Sequence, residues 1–173
     1  YDQSSTANGL VAFVTPNNQC ICSDNPGAIF IGDLLGTETL TPITLPPGIL
    51  VNGGIVVLHP YLFYYGTAGI VGWSVPGVPT DLTGAGSGTA RIAGQKIVKG
   101  LTLRAGSGSA PAGLFWAYDS LIRCTFTGGE TVFQFDTVSD GITVMSSNGI
   151  IEYDGIYYWA GVDRFYMFNG VVR

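Results

Sequence analysis

Three carboxylates in the last quarter of the sequence lie close enough along the chain to suggest acid–base chemistry. They are Glu152, Asp154 and Asp163, and glycoside hydrolysis uses a pair of such groups. However, Asp154 precedes a glycine in a dipeptide typical of a hairpin turn, and Asp163 precedes Arg164, which would neutralise it in another turn. We therefore predict that Asp154 and Asp163 are turn residues and that the chain is not an enzyme.

The three cysteines and the single histidine are the other residues that could bind a metal or act in nucleophilic catalysis. Cys20 and Cys22 would share one face of a strand, but a zinc site needs two further ligands. Cys124 is distant in sequence, and any Ser-His-Asp or Cys-His site would depend on His59 alone. We predict free buried thiols, a turn histidine before Pro60, and no metal or cofactor, which suits a reducing cytoplasm.

Two segments have compositions that suggest anion binding. Gly84–Gly88 resembles a phosphate loop only in its glycine content, since it lacks the Gly-Lys-Ser/Thr ending and a following helix. Loops at 80–88 and 105–112 flank a predicted hairpin, Thr89–Arg104, which has no aromatic residue for stacking on a base. We expect its cations to face an acidic neighbouring subunit. They are Arg91, Lys96, Lys99 and Arg104.

The charges are distributed unevenly along the chain. Residues 91–173 contain seven basic and seven acidic residues, so the net charge of −5 belongs to residues 1–90. That first half has no Lys or Arg, and its acids are Asp2, Asp24, Asp33, Glu38 and Asp81. An acidic half does not bind nucleic acid by charge. The uneven charge suits solubility, and it also suits a surface that lets a polyanion pass without sticking.

The composition limits the class of protein. Only 11% of the 173 residues are charged, against a usual figure of about 25%, so we expect other protein to cover part of the surface. The chain starts at Tyr1, and we expect a processed product or a piece of a longer polypeptide. The uncharged stretch between Glu38 and Asp81 is interrupted by prolines and glycines, and we predict no membrane span.

Short aromatic and β-branched segments separated by turn residues predict an all-β chain of antiparallel hairpins. Residues 56–66 can be aligned with residues 151–161, because each segment has a strand, a two-residue turn and an aromatic strand that ends in glycine. A third copy would start at Gly113–Tyr118, continue through Leu121–Phe126 and close on Phe133–Asp136. The nearly continuous apolar segment Gly155–Trp159 suits a strand buried on both faces.

Such repeats are typical of β-propeller blades, which bury their faces only when they are stacked on one another. We predict about three to four blade-like units in a single all-β domain over residues 1–173, or in a fragment of a larger chain. The short final segment after Asn169-Gly170 would start a further strand. A β-sandwich is the structural alternative.

Several segments of the second half together resemble virion structural proteins of tailed bacteriophages, in particular tail-tube or nozzle proteins with propeller-like domains. The resemblance covers roughly residues 85–173, and the segments that carry it are Ser109–Trp116, Asp119–Arg123, Phe133–Thr137, Met145–Ser147 and Glu152–Phe165.

This resemblance implies a structural component of the DNA-ejection conduit in the virion tail, assembled in the host cytoplasm. It also implies a homo-oligomeric ring, contacts with other virion proteins, and passage of double-stranded DNA without specific binding. The alternative is a carbohydrate-binding or depolymerising propeller that takes part in host recognition.

Overall fold

The computed structural model describes residues 2–5, 10–14, 29–33, 40–103 and 110–173, with side chains from Ile43 onward except that of Thr67. The all-β prediction is confirmed, because 48% of the chain is strand and 4% is helix. In the described part of the chain, the helical residues form two short 3-10 turns, Thr67–Gly69 and Ser147–Gly149.

The described strands form four open antiparallel sheets, and each sheet uses strands that are consecutive in the sequence. Sheet I contains β1 (Asp2–Ser5), β2 (Leu10–Val14), β3 (Ile29–Asp33) and β4 (Leu40–Ile43). Sheet II contains β5 (Gly54–Leu58), β6 (Tyr61–Tyr65), β7 (Ile70–Trp73) and β8 (Gly88–Arg91). Sheet III contains β9 (Ile97–Thr102), β10 (Ala112–Ala117), β11 (Leu121–Phe126) and β12 (Phe133–Ser139). Sheet IV contains β13 (Ile150–Tyr153), β14 (Ile156–Ala160) and β15 (Phe165–Phe168).

The two aligned segments do form equivalent hairpins, β5–β6 and β13–β14. Leu58 pairs with Tyr61 next to one turn, and Tyr153 pairs with Ile156 next to the other. The three strands of the third copy are present as β10, β11 and β12, but they are the second to fourth strands of sheet III, so β9 holds the place that β5 has in sheet II. β10 therefore corresponds to β6, and the two strands share an aromatic, fully buried sequence.

The predicted hairpin Thr89–Arg104 is also wrong. β8 pairs with β7 in sheet II, whereas β9 pairs with β10 in sheet III. The segment between β8 and β9 is therefore a connection between two sheets. Gly100 lies inside β9, where a Cβ would be within 3.0 Å of the Phe115 and Tyr65 rings. Glycine is used here for close packing and not for a turn.

The described cores lie between successive sheets. One cluster joins sheets II and III and includes Phe63, Trp73, Phe115 and Phe133. A second cluster joins sheets III and IV and is built around Trp116, Tyr157 and Trp159. A third covers the other face of sheet II, and Ile43 at the end of β4 packs against it. β1 and β2 lie beside β5, so sheet I adjoins the first strand of sheet II, and the clusters show that sheets II, III and IV pack on one another in chain order.

Gly72 shows how closely the sheets are packed, and its substitution gives a first prediction. A Cβ at this position would lie 2.1 Å from Cζ of the buried Tyr64 ring. We expect Gly72→Ala to lower the free energy of unfolding by about 1–3 kcal/mol, the usual cost of overpacking. Urea denaturation would measure the change. Gly94→Ala is the matched control, since a Cβ there meets nothing within 4 Å, and a loss equal to that of Gly72→Ala would contradict this account.

Candidate interaction face

The feature of the described structure that most resembles a binding site is the face of sheet IV that points away from sheet III, which we call the outer face. Register places Ile151 opposite Tyr158, and Tyr158 opposite Met167, in one row across the three strands. All seven positions on this face are uncharged and apolar or aromatic. They are Ile151, Tyr153, Ile156, Tyr158, Ala160, Phe165 and Met167.

The side chains of this face are exposed to a degree that is unusual for such residues. Phe165 is 86% exposed, Tyr153 74%, Ile151 58% and Tyr158 36%. A strand with one face in water normally alternates apolar with polar residues, and β14 does not follow that pattern. The expectation that Gly155–Trp159 is buried on both faces is therefore wrong, because Tyr157 and Trp159 pack on sheet III, whereas Tyr158 on the other face of the strand is 36% exposed.

The outer face contains a hollow as well as projecting side chains. A concavity of about 420 Å³ lies at one end of sheet IV. Ile151, Tyr158 and Ala160 form part of its lining, and the exposed Phe165 stands beside them. An apolar side chain from another protein could enter this hollow and displace water from it.

The residues beneath the face hold it in place. Trp159 stacks on Tyr166 with ring centroids 5.2 Å apart, and its Nε1 donates to the carbonyl oxygen of Thr143. The Tyr166 hydroxyl donates to Oδ1 of Asp163, while Nε of Arg164 donates to Oδ2 at 2.7 Å. The hydrogen bond from Arg164 is the main reason why the pKa of Asp163 is lowered. These contacts order the β14–β15 turn next to Phe165.

The three carboxylates considered above are divided between the two ends of β14, with Glu152 and Asp154 at one end and Asp163 at the other. Oε1 of Glu152 accepts a hydrogen bond from the Gly155 amide at 2.8 Å, in the turn that contains Asp154. Asp163 lies in the next turn, at the opposite end of β14. The four residue steps of β14 separate the two turns by roughly 13 Å, beyond the ~5–9.5 Å that glycosidase carboxylates need. Asp154 and Asp163 lie in turns, as the sequence predicted.

Cys124 and His59 also lie apart from the outer face. Cys124 is a buried free thiol on β11, and burial raises its pKa to about 12. His59 is exposed in the turn between β5 and β6. Cys20 and Cys22 lie outside the described residues. Among the residues that the structure describes, no cluster of three His, Cys, Asp or Glu side chains could hold a metal ion.

The structure describes only part of the predicted charge distribution. Arg91 is exposed on β8, whereas Lys96 and Lys99 are partly buried near the start of β9. Asp81 caps a turn by accepting from the Thr83 and Gly84 amides, which lowers its pKa. Backbone alone is described for Asp2 and Asp33, in sheet I, and Arg104, Asp24 and Glu38 are outside the described residues.

A second concavity is more polar. A groove of about 760 Å³ runs between β8 and the β11–β12 turn, and its lining includes Arg91, Gln134, Phe135 and a single described carboxylate, Glu130. Phe133 also lines the groove, but its ring is only 2% exposed and offers little surface for stacking on a sugar. The groove therefore has polar groups but few of the features of a carbohydrate site.

Comparison with known proteins identifies no family. No protein-family model matches the chain, and no curated protein matches its sequence. Within the described residues, no helix has the length and apolar composition that crossing a bilayer requires.

Proposed function

We propose that the chain is a non-enzymatic structural component of a tailed-bacteriophage virion and forms part of the tail tube or nozzle through which DNA leaves. The observation that carries the assembly role is the uncharged, exposed outer face of sheet IV. Apolar patches of this kind mark surfaces that other protein covers. The assignment to a phage tail rests on the resemblance of residues 85–173 to such proteins.

We also propose that the four sheets are blades of a propeller-like architecture. In support, each sheet is a meander of consecutive strands, and the first strand of sheet II lies beside the first strands of sheets I and III. Sheet III has apolar clusters on both faces. A two-sheet sandwich buries only the inner face of each sheet, so this burial favours a blade stack over the sandwich alternative.

The mechanism in this role is mechanical and electrostatic. Stacked aromatic sheets give a stiff wall, and a neutral or negative surface lets the DNA polyanion slide without being held. Such a wall needs no cofactor. The alternative of a carbohydrate-binding or depolymerising propeller would use the groove near Arg91 and Glu130, and its single carboxylate supports binding more than hydrolysis.

Charge reversal of Lys96 and Lys99 tests the proposed role. Both are partly buried next to β9, where we place them at a subunit seam against acids of a neighbour. We expect Lys96→Glu/Lys99→Glu virions to assemble at least roughly tenfold less efficiently, since like charges across an interface are repulsive. Electron microscopy of particles and mass spectrometry of purified virions would measure this.

One control variant and two contrary outcomes complete this test. Arg123→Glu changes an exposed cation of β11 whose partner, Asp136, lies opposite it on β12, and we expect normal particle yield. Normal assembly of the double variant with altered ejection would place the lysines in the channel and contradict the seam. A chain that is absent from purified virions would contradict the structural role itself.

A further inference from the structure

We propose that the groove between β8 and β12 is a strand-addition site, in which an extended, basic segment of a partner protein pairs antiparallel with β12. Adding a strand to an exposed sheet edge is one of the ways in which proteins recognise extended peptides. The site differs from the outer face of sheet IV, and it does not depend on the assignment to a phage tail. It gives the chain a second surface for contact with another protein.

β12 is an edge strand with few of the features that keep edges from pairing. It is an outermost strand of sheet III and, with seven residues, the longest strand that the structure describes. Natural proteins usually protect such an edge with Lys, Pro, a bulge or a very short strand. β12 contains neither Lys nor Pro, and the shift in its register with β11 falls beyond Thr137. Its open edge is therefore available to another strand.

Hydrogen bonds at the end of β11 show which of its backbone groups face β12. The Phe126 amide donates to the carbonyl oxygen of Pro111, on the β10 side. The next amide, that of Thr127, donates to the carbonyl oxygen of Val132, on the β12 side. In an antiparallel sheet, the backbone groups of successive residues alternate in this way between the two neighbouring strands.

This alternation leaves backbone groups of β12 unpaired at its open edge. Cys124 and Ile122 lie two and four residues before Phe126, so they also direct their N–H and C=O groups to β10. They are the residues that pair with Phe135 and Thr137. Phe135 and Thr137 therefore direct their N–H and C=O groups away from β11. Phe135 is half-buried and Thr137 is exposed, so an incoming strand can reach both.

The groove lies where sheet II extends beyond sheet III. β12 packs over β7, because the Trp73 ring centroid is 5.3 Å from that of Phe133 and 6.0 Å from that of Phe135. β8 is the next strand of sheet II, and β12 is the last described strand of sheet III on this side. Ala90 of β8 and the adjacent Ile92 pack against the cluster between the two sheets but are only partly buried. A strand added beside β12 would bury more of their apolar surface.

The size of the groove matches one short strand. Five residues of a β-strand are roughly 17 Å long, with about 4.8 Å to the next strand and about 10 Å between packed sheets. These dimensions enclose roughly 800 Å³, and the groove measures about 760 Å³. Its lining belongs to both β8 and β12, so a strand in the groove would contact both sheets.

Register defines the side chains that the added strand should carry. Residues opposite Phe135 and Thr137 would project over β8, where small apolar side chains fit. Residues opposite Gln134 and Asp136 would project to the other face, because side chains alternate along a strand. The partner segment therefore alternates apolar with polar residues.

The charge beside β12 favours a basic partner. Three acids lie in β12 or near its ends, Glu130, Asp136 and Asp140. Among the described residues, only Asp136 of these three has a cationic partner, Arg123 on β11 at 3.6 Å. Arg91 lies on the β8 side of the groove, so a lysine or arginine of the partner belongs on the β12 side, opposite Asp136. The net charge of −5 on the chain would attract such a segment.

Binding of a designed pentapeptide tests the proposal. The probe is fluorescein-labelled Val-Lys-Val-Thr-Val with blocked ends, which places its lysine opposite Asp136 and its central valine opposite Phe135. We expect fluorescence polarisation to show saturable binding to the 173-residue chain, with a dissociation constant below about 200 μM. Absence of saturable binding up to about 500 μM would overturn the proposal.

Two N-methylated peptides separate strand pairing from nonspecific apolar binding. The N–H of the central valine would donate to β12, whereas that of the lysine would point away from it. We expect N-methylation of this valine to weaken binding at least roughly tenfold, the effect of a lost hydrogen bond with a buried partner. N-methylation of the lysine should change binding by less than about twofold. Equal effects of the two modifications would overturn the strand pairing.

A pair of variants on β8 tests the position of the site. Ala90→Glu puts a charge on the lining of the groove, and we expect at least roughly tenfold weaker binding, since a buried unpaired charge is costly. Thr89→Glu makes the same change of charge at a neighbour that is exposed and outside this lining, and binding should stay within about twofold. Equal binding by the two variants, with both shown to be folded by their melting temperatures, would overturn the position. The N-methylated peptides test the wild-type chain and do not depend on these variants.

These outcomes are distinct from those of the proposed function. A chain that is present in purified virions but does not bind the peptide would refute the strand-addition site and leave the structural role standing. A chain that binds the peptide as expected but is absent from virions would support the site and refute the phage role.

Discussion

Phe133→Ala is expected to lower the free energy of unfolding by about 3–5 kcal/mol, the range for removing a buried phenyl ring. Phe133 is 2% exposed and lies at the centre of the aromatic cluster between sheets II and III. Its ring centroid is 4.8 Å from that of Phe63, 4.9 Å from Tyr61 and 5.3 Å from Trp73. Removal of one ring therefore leaves a cavity that several rigid neighbours border.

Urea denaturation followed by tryptophan fluorescence would measure this effect. Phe165→Ala is the matched control, because it removes the same ring from a site that is 86% exposed, and we expect a change within about 0.5 kcal/mol. Phe133→Leu should fall between the two. A loss below about 1 kcal/mol for Phe133→Ala would mean that sheets II and III do not pack as described.

Trp116→Ala is expected to cost a similar amount, about 3–5 kcal/mol, but at the interface of sheets III and IV. Trp116 is fully buried, and its ring centroid is 5.8 Å from those of Tyr157 and Trp159 on β14. Because few other large side chains of β10 face sheet IV, we expect sheet IV to separate before sheets II and III unfold.

Hydrogen exchange read by mass spectrometry would locate the change. Faster exchange in β13–β15 than in β5–β7 is the expected pattern, since local stability is not uniform across a fold. Trp116→Phe keeps an aromatic ring at the site and serves as the control, with a smaller loss. Equal acceleration in all sheets would show that the sheets unfold as one unit and would contradict separate cores.

Much of the fold could be predicted from the sequence because the hairpins are local. The aromatic strands and their turns carry alternation and turn residues, so β5–β6 and β13–β14 could be identified. β4 is harder to identify from sequence because it contains Pro42, yet it is an edge strand and tolerates proline. The false hairpin over 89–104 has a different cause, because which sheet a strand joins depends on distant partners.

The outer face could not be predicted from sequence for the same reason. β6, β10 and β14 have similar aromatic sequences, but only the first two are covered on both sides. Burial on the second side depends on whether another sheet follows in the stack. Each of the strands β13, β14 and β15 lacks charge at alternate positions. This signal is visible in the sequence, but only the register of the three strands shows that these positions form one continuous face.

An electron cryomicroscopy map of the tail of virions that contain the chain would test the proposed function most directly. We expect the four sheets to lie in chain order in the conduit wall, with Tyr158 and Phe165 covered by other protein of the virion. Lys96 and Lys99 should lie at the seam, and the channel surface should be neutral or negative. A map in which the outer face of sheet IV is open to solvent, or the lysines line the channel, would contradict the account.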